Sequence, residues 1–191
     1  MPGIPHNLAE LLDYLDETRA QLLQTLDAVN PSFAALKPRG GAWSVTEIVE
    51  HLARVEAGAA RLVERSLEWA GANGVSGPPP ERSFMDGLDS FDLIERADKR
   101  TAPEIVMPID GAPLEASVRS LRESRERLRN AMLSGADLDL SNVTRKHAAI
   151  GEIDMYQWTL FVAQHEERHR RQIERTLAEV TELAAESAPI V

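Results

Sequence analysis

The chain has 191 residues, of which 43% are hydrophobic and 27% charged, as expected for a protein with one well-filled core. Its net charge of −10 argues against nucleic acid or an anionic membrane surface as a main partner. Cysteine is absent, which excludes disulfides, cysteine nucleophiles and cysteine metal ligands. We expect a single cytoplasmic domain over residues 1–191, with neither a signal peptide nor a membrane span.

The first predicted helix runs from about residue 8 to residue 29. Asn7 and Glu10 have the spacing of a capping pair at its start. Leucines spaced three and four residues apart predict one apolar stripe, formed by Leu8, Leu11, Leu12, Leu15, Leu22 and Leu26. The following stretch, NPSFAALKPRGGA, contains two prolines and two adjacent glycines, so we expect it to interrupt the helix.

The second predicted helix has a clear start. Ser44 fits the N-cap position and Glu47 the third position of a capping box, and the helix ends near residue 70. From about 71 to 111 the sequence loses any regular periodicity. A connection of this length inside one domain is typically either functional or a crossover between distant elements.

Two further helices complete the predicted fold. The third covers about 114–133, with Gly135 as its stop, and the fourth runs from about 155, after an Asp154 cap, to about 185. Four amphipathic helices with one long crossover predict an all-α four-helix bundle of up-down-down-up order. An apolar face of such a bundle is compatible with a homodimer.

The segment HEERH, residues 165–169, fits the H-E-x-x-H signature of zinc proteases, in which two histidines bind the metal and the glutamate activates water. Those enzymes take a third ligand from beyond the motif, often after a glycine turn. Here position 172 is Gln and position 175 is Arg, and the fourth helix continues without a break. The protease interpretation is therefore rejected.

The spacing still places two imidazoles one turn apart on the apolar face of the fourth helix. Burying His165 and His169 there costs free energy unless their nitrogens are satisfied, and one metal ion satisfies both. His51, on the shoulder of the apolar face of the second helix, is the best third ligand, since neighbouring helices in a bundle bring their side chains together. Three imidazoles that leave coordination positions open are typical of a catalytic metal site.

Two segments carry a family resemblance. GGAWSVTEIVEHLARVE, followed more than a hundred residues later by HAAIGEIDMYQWTLFVAQHEERHRRQI, resembles the DinB-like superfamily of metal-binding four-helix bundles, close to its YfiT-type branch. The resemblance implies that His51, His165 and His169 are the metal ligands. It also implies a small enzyme, since family members include transferases and isomerases that use thiols such as bacillithiol or mycothiol, and others described as hydrolases.

Five other residues are candidates near this site. Glu166 points about 100° away from the preceding histidine, which favours a solvated helix face over a general base. Glu47 either orients the ring of the second-helix histidine or only caps its helix. His147 enters the fourth helix from a loop and lies either near the cleft or at the surface. Arg125 falls inside the apolar stripe of the third helix, and Arg19 lies near the inner face of the first. For each, three roles are open: the side chain extends outward to solvent, pairs with a carboxylate, or binds substrate.

The expected function is metal-dependent chemistry on a small molecule. Zinc or nickel leads, and manganese or iron is also compatible, because imidazole ligands alone do not select among these metals. We expect a thiol-dependent S-transferase whose thiol comes from a low-molecular-weight cosubstrate, since the chain has no cysteine. The alternatives are a metal-dependent hydrolase and a non-catalytic bundle that binds a metal or ligand.

Overall fold

A computed structural model of the chain describes residues 3–95, 102–109 and 112–186. Within these ranges most of the chain is helical, and four long helices dominate. No helix among the described residues combines the length and hydrophobicity that crossing a bilayer requires. The helices are α1 (His6–Asp27), α2 (Pro31–Ala34), α3 (Val45–Ala72), α4 (Leu114–Ser134) and α5 (Met155–Glu186).

The directions of the long helices follow from the division of the core into two clusters. One cluster joins the first halves of α1 and α5 to the second halves of α3 and α4. The other joins the second half of α1 to the start of α3, to Leu121 of α4 and to Ile173 of α5. Helices α1 and α5 therefore point one way and α3 and α4 the other, which confirms the predicted up-down-down-up four-helix bundle.

Reciprocal caps fix the starts of α3 and α5. The Ser44 hydroxyl accepts the Glu47 N–H at 3.3 Å, and the Glu47 carboxylate accepts the Ser44 N–H at 2.8 Å. Before α5, the Asp154 carboxylate accepts the Gln157 N–H at 2.8 Å, while the Gln157 side-chain oxygen accepts the Asp154 N–H at 3.0 Å. Both predicted starts are therefore confirmed by two hydrogen bonds each.

The start of α1 differs from the prediction. The helix begins at His6, so Asn7 lies in its first turn and does not form the expected capping pair with Glu10. The Asn7 amide instead donates to the carbonyls of Pro80 and Arg82, at 2.7 and 2.9 Å. The side chain thus ties the crossover to α1, a long-range role that local capping rules do not anticipate.

Two short features were not part of the four predicted helices, and one of them, a β-hairpin, departs from the all-α prediction. The interrupted stretch after α1 contains α2, whose first turn is capped by the Asn30 side chain accepting the Ser32 N–H. A two-stranded antiparallel hairpin, β1 (Thr144–His147) and β2 (Gly151–Asp154), leads into α5. Four-residue strands give too little alternation for periodicity to reveal them.

The crossover between α3 and α4 is anchored in the core by apolar residues. The Phe84 ring stacks on Tyr156 of α5 with centroids 3.9 Å apart, and Leu88 is fully buried. Farther along, the segment 104–109, called here the crossover strap, contains one turn of 3-10 helix at Glu104–Val106. The described parts of the crossover thus contain only short helical turns, in keeping with the loss of regular periodicity in its sequence.

Ser44→Ala should lower the free energy of unfolding by about 1 kcal/mol, because it removes the oxygen that accepts an N–H at the start of α3. Urea denaturation followed by circular dichroism measures the change. The control is Ser76→Ala, in the exposed connection after α3, which should change it by less than about 0.5 kcal/mol. Equal effects of the two substitutions would contradict a stabilising cap.

Candidate metal centre

Three histidine rings from two helices converge inside the bundle, and are called here the histidine trio. His51 lies on the second turn of α3, and His165 and His169 lie one turn apart on α5. The Nε2 atom of His165 is 3.4 Å from that of His51 and 3.2 Å from that of His169. Two nitrogens bound tetrahedrally to one zinc-sized ion lie about 3.3 Å apart. The spacing therefore fits a shared metal ion.

The outer nitrogens of two of these rings have partners that set their tautomers. The Nδ1 atom of His51 donates to the Val106 carbonyl at 2.8 Å, and that of His169 donates to the Gln172 side-chain oxygen at 2.8 Å. In the neutral rings the inward Nε2 atoms then carry lone pairs. The Nε2 atom of His165 carries at most one proton, so it can donate a hydrogen bond to only one of these two lone pairs. The trio thus presents converging lone pairs, as metal ligands do.

The surroundings keep the trio neutral. Burial lowers the pKa of His51, and the Arg54 charge adds to the effect. Burial followed by the proximity of the other two rings holds the pKa of His165 well below its usual value. Burial together with the nearby His51 lowers the pKa of His169 to about 3. Neutral imidazole is the form that binds a metal, so at neutral pH no protons need to be displaced.

Access to the trio differs among its members. His51 and His169 are buried, whereas His165 is partly exposed. Aromatic rings flank the trio: the Trp43 ring is centred 4.9 Å from that of His51, and the Phe161 ring is centred 5.1 Å from that of His165. Of the three rings, His165 is the most exposed.

Comparison with known proteins identifies the family. The model described as DinB superfamily matches residues 14–173, a stretch that includes all three histidines. The chain belongs to the DinB superfamily. The uncharacterized protein YuaE of Bacillus subtilis (strain 168) is 25% identical over 166 residues, covering 85% of this chain and 94% of YuaE. A solved structure, TT2238, described as a four-helix bundle protein, matches with a TM-score of 0.59 and 22% identity over 88% of this chain and 98% of that one.

In this DinB-superfamily chain, the glutamate that follows the first histidine of HEERH does not face solvent. Glu166 is 2% exposed and belongs to what is called here the buried network, formed with Arg19, Glu56 and Arg125. Arg19 donates to one oxygen of Glu166 at 2.7 Å, and Arg125 donates to the other at 3.0 Å. The expectation of a solvated face is therefore wrong. Since both oxygens bind guanidinium groups, Glu166 is not placed to act as a general base.

The three remaining candidates, Glu47, His147 and Arg125, lie in three different surroundings. Both oxygens of Glu47 are engaged, one by the Ser44 N–H and the other by Lys37 at 2.7 Å, so Glu47 serves as a cap. His147 lies in β1 rather than in a loop, with its ring centred 4.4 Å from Phe161. It is thus one aromatic ring away from His165. Arg125 pairs with carboxylates inside the core, which is one of the arrangements expected for it.

The crossover strap supplies a contact to the trio that the sequence did not reveal. The Val106 carbonyl that accepts from His51 belongs to the main chain, and no side-chain pattern marks it. Two residues of α3 hold the strap in place: Glu50 accepts the Ile109 N–H at 2.9 Å, and Arg54 donates to the Ile105 carbonyl at 3.3 Å. Gln172, in contrast, could have been found as the residue three positions after His169 on the same helix.

Glu166→Ala should lower the free energy of unfolding by about 3–5 kcal/mol, because it leaves a buried guanidinium charge without compensation. Glu174→Ala is the control on the same helix. Its exposed pair with Arg170 should contribute less than about 1 kcal/mol. Urea denaturation of both variants measures the difference, and a loss for Glu166→Ala as small as that of the control would contradict a buried, charge-paired Glu166.

Proposed function

We propose that the histidine trio holds one divalent transition metal and that the protein is a metal-dependent enzyme that transfers a small-molecule thiol. The observation that carries the proposal is the convergence of three Nε2 atoms, with successive spacings of 3.4 and 3.2 Å. Two of the rings have outward Nδ1 partners, as metal-binding histidines almost always do. Zinc or nickel leads, with manganese or iron also compatible, because the nitrogen donors alone do not discriminate.

The chemistry of a three-nitrogen metal site supports the proposed reaction class. When bound, a divalent metal supplies Lewis acidity, which lowers the pKa of a thiol or a water molecule that reaches it. The trio would supply three nitrogens to an ion that commonly takes four or more ligands, so a bound metal would keep a coordination position for a further ligand. The chain has no cysteine, so the thiol comes from a cosubstrate.

Hydrolysis of a small ester or amide is the second candidate, and the buried network weighs against it. Metal-dependent hydrolases with an H-E-x-x-H motif use its glutamate to take a proton from water. Glu166 has both oxygens committed to guanidinium groups and is turned away from the trio. Thiol transfer has less need of such a base, because a thiol loses its proton more readily than water does. A purely structural metal is disfavoured because His165 is partly exposed.

Metal content tests the site. Protein purified without an affinity tag should contain about one transition-metal ion per chain by plasma mass spectrometry, and His51→Ala should contain almost none. His147→Ala is the matched control, since its ring lies beyond Phe161, and it should keep the metal. Retention of full metal by His51→Ala, or no metal in wild-type protein after reconstitution, would contradict the proposal.

Thiol transfer is tested with the metal-loaded protein and a chromogenic electrophile. Addition of glutathione or cysteine to 1-chloro-2,4-dinitrobenzene, in which a sulfur–carbon bond forms and chloride leaves, should be accelerated by wild type and not by His51→Ala. Cobalt-substituted protein should also gain a sulfur-to-cobalt absorption band when the thiol is added. Acceleration of p-nitrophenyl acetate hydrolysis, without thiol transfer or that band, would favour the hydrolase instead.

A further inference from the structure

Four charges meet in the centre of the bundle, one from each long helix. Arg19 of α1 and Arg125 of α4 face Glu56 of α3 and Glu166 of α5, and the four side chains are only 2% to 7% exposed. The formal charges sum to zero. Burial of ion pairs in this manner contributes little net stability, because desolvation offsets the attraction. Their arrangement therefore calls for an explanation other than stability.

Each arginine bridges both carboxylates. Arg19 donates to Glu166 and Glu56, and Arg125 donates to Glu56 at 2.5 Å and to Glu166 at 3.0 Å. Each guanidinium also donates to a main-chain carbonyl on the helix that carries the other arginine. Arg19 donates to the Leu121 carbonyl of α4, and Arg125 donates to the Leu15 carbonyl of α1. Because the guanidinium fork is planar and rigid, these contacts fix both distance and orientation.

The two glutamates are carried by the helices that carry the trio. Glu56 follows His51 by five residues on α3, and Glu166 directly follows His165 on α5. A void too narrow for water is bounded by members of both groups, with the lining residues Leu52, Val55, Glu56, Val162, His165 and Glu166. A displacement of one glutamate along its helix axis therefore moves the adjacent histidine with it.

We infer that Arg19 and Arg125 are positioning residues for the metal centre, which they serve by locking α3 to α5 at the register that brings His51 to His165 and His169. Apolar side chains alone allow facing helices to shift and repack, whereas metal ligands tolerate errors of only about 0.2 Å in their distances. The two arginines tie α3 to α5, because each binds both Glu56 and Glu166. The inference rests on the proposed metal site.

Cobalt binding tests the inference, because the dissociation constant and the visible spectrum report ligand geometry. In the double variant Arg19→Lys with Arg125→Lys the charges remain, but an ammonium has only three donors on a flexible stem and lacks the rigid planar fork that fixes the distance and direction of both carboxylates. We expect its cobalt dissociation constant to rise at least about tenfold, the range seen when the groups that orient ligands are lost. The tetrahedral cobalt bands should weaken as well.

A second variant replaces all four charges by methionine, which leaves no unpaired buried charge, so that the bundle can fold without the network. It should show the same weakening of cobalt binding. The control is Leu128→Ala, a fully buried side chain of α4, a helix that carries no residue of the trio; it lowers thermal stability but should leave the dissociation constant within about twofold of wild type.

The outcomes separate the two ideas. Cobalt binding by wild type with unchanged affinity in either folded network variant would overturn the positioning role and leave the metal site intact. Equal weakening in Leu128→Ala would also overturn it, since general destabilisation would then explain the loss. Absence of cobalt binding by wild type would overturn the metal site itself, and the positioning role with it.

Discussion

Guanidinium and carboxylate groups in the middle of an apolar bundle have to be matched in number, charge and direction, and here each finds its partner on another helix. Arg19 and Arg125 contact the two buried glutamates and exchange main-chain contacts between α1 and α4. No single helix satisfies its own buried charge. The network can therefore form only when all four helices are assembled, and it makes correct assembly a condition for burying these groups at all.

The same requirement governs the histidine trio on the other side of the void. Two of its outer nitrogens bind a carbonyl of the crossover strap and the Gln172 side chain, while its inner nitrogens face one another. Polar groups of the core are thus sorted into two neighbouring sets. One set is closed and self-compensating, and the other has lone pairs that only a cation or a proton can satisfy. The HEERH segment contributes to both, through Glu166 to the first and through His165 to the second.

Local signals in the sequence were sufficient for the bundle and its helix starts, because caps such as Ser44 and Asp154 act on residues three positions away. Periodicity also placed the histidines on inner faces. What local reasoning could not supply were contacts between distant segments. Asn7 appeared to be a cap but binds the crossover, and Glu166 appeared to be solvated because its arginine partners lie on α1 and α4. The position of a charge on one helix does not reveal what the other helices bring to it.

The strap offers His51 a main-chain oxygen rather than a side chain. Replacing the side chain at position 106 leaves that oxygen in place, so the hydrogen bond from His51 does not depend on which side chain the residue carries. The path of the backbone is not free, because a residue gained or lost between Glu104 and Ile109 would carry the carbonyl away from the ring. For this contact, the number of residues in the strap therefore matters more than the identity of their side chains.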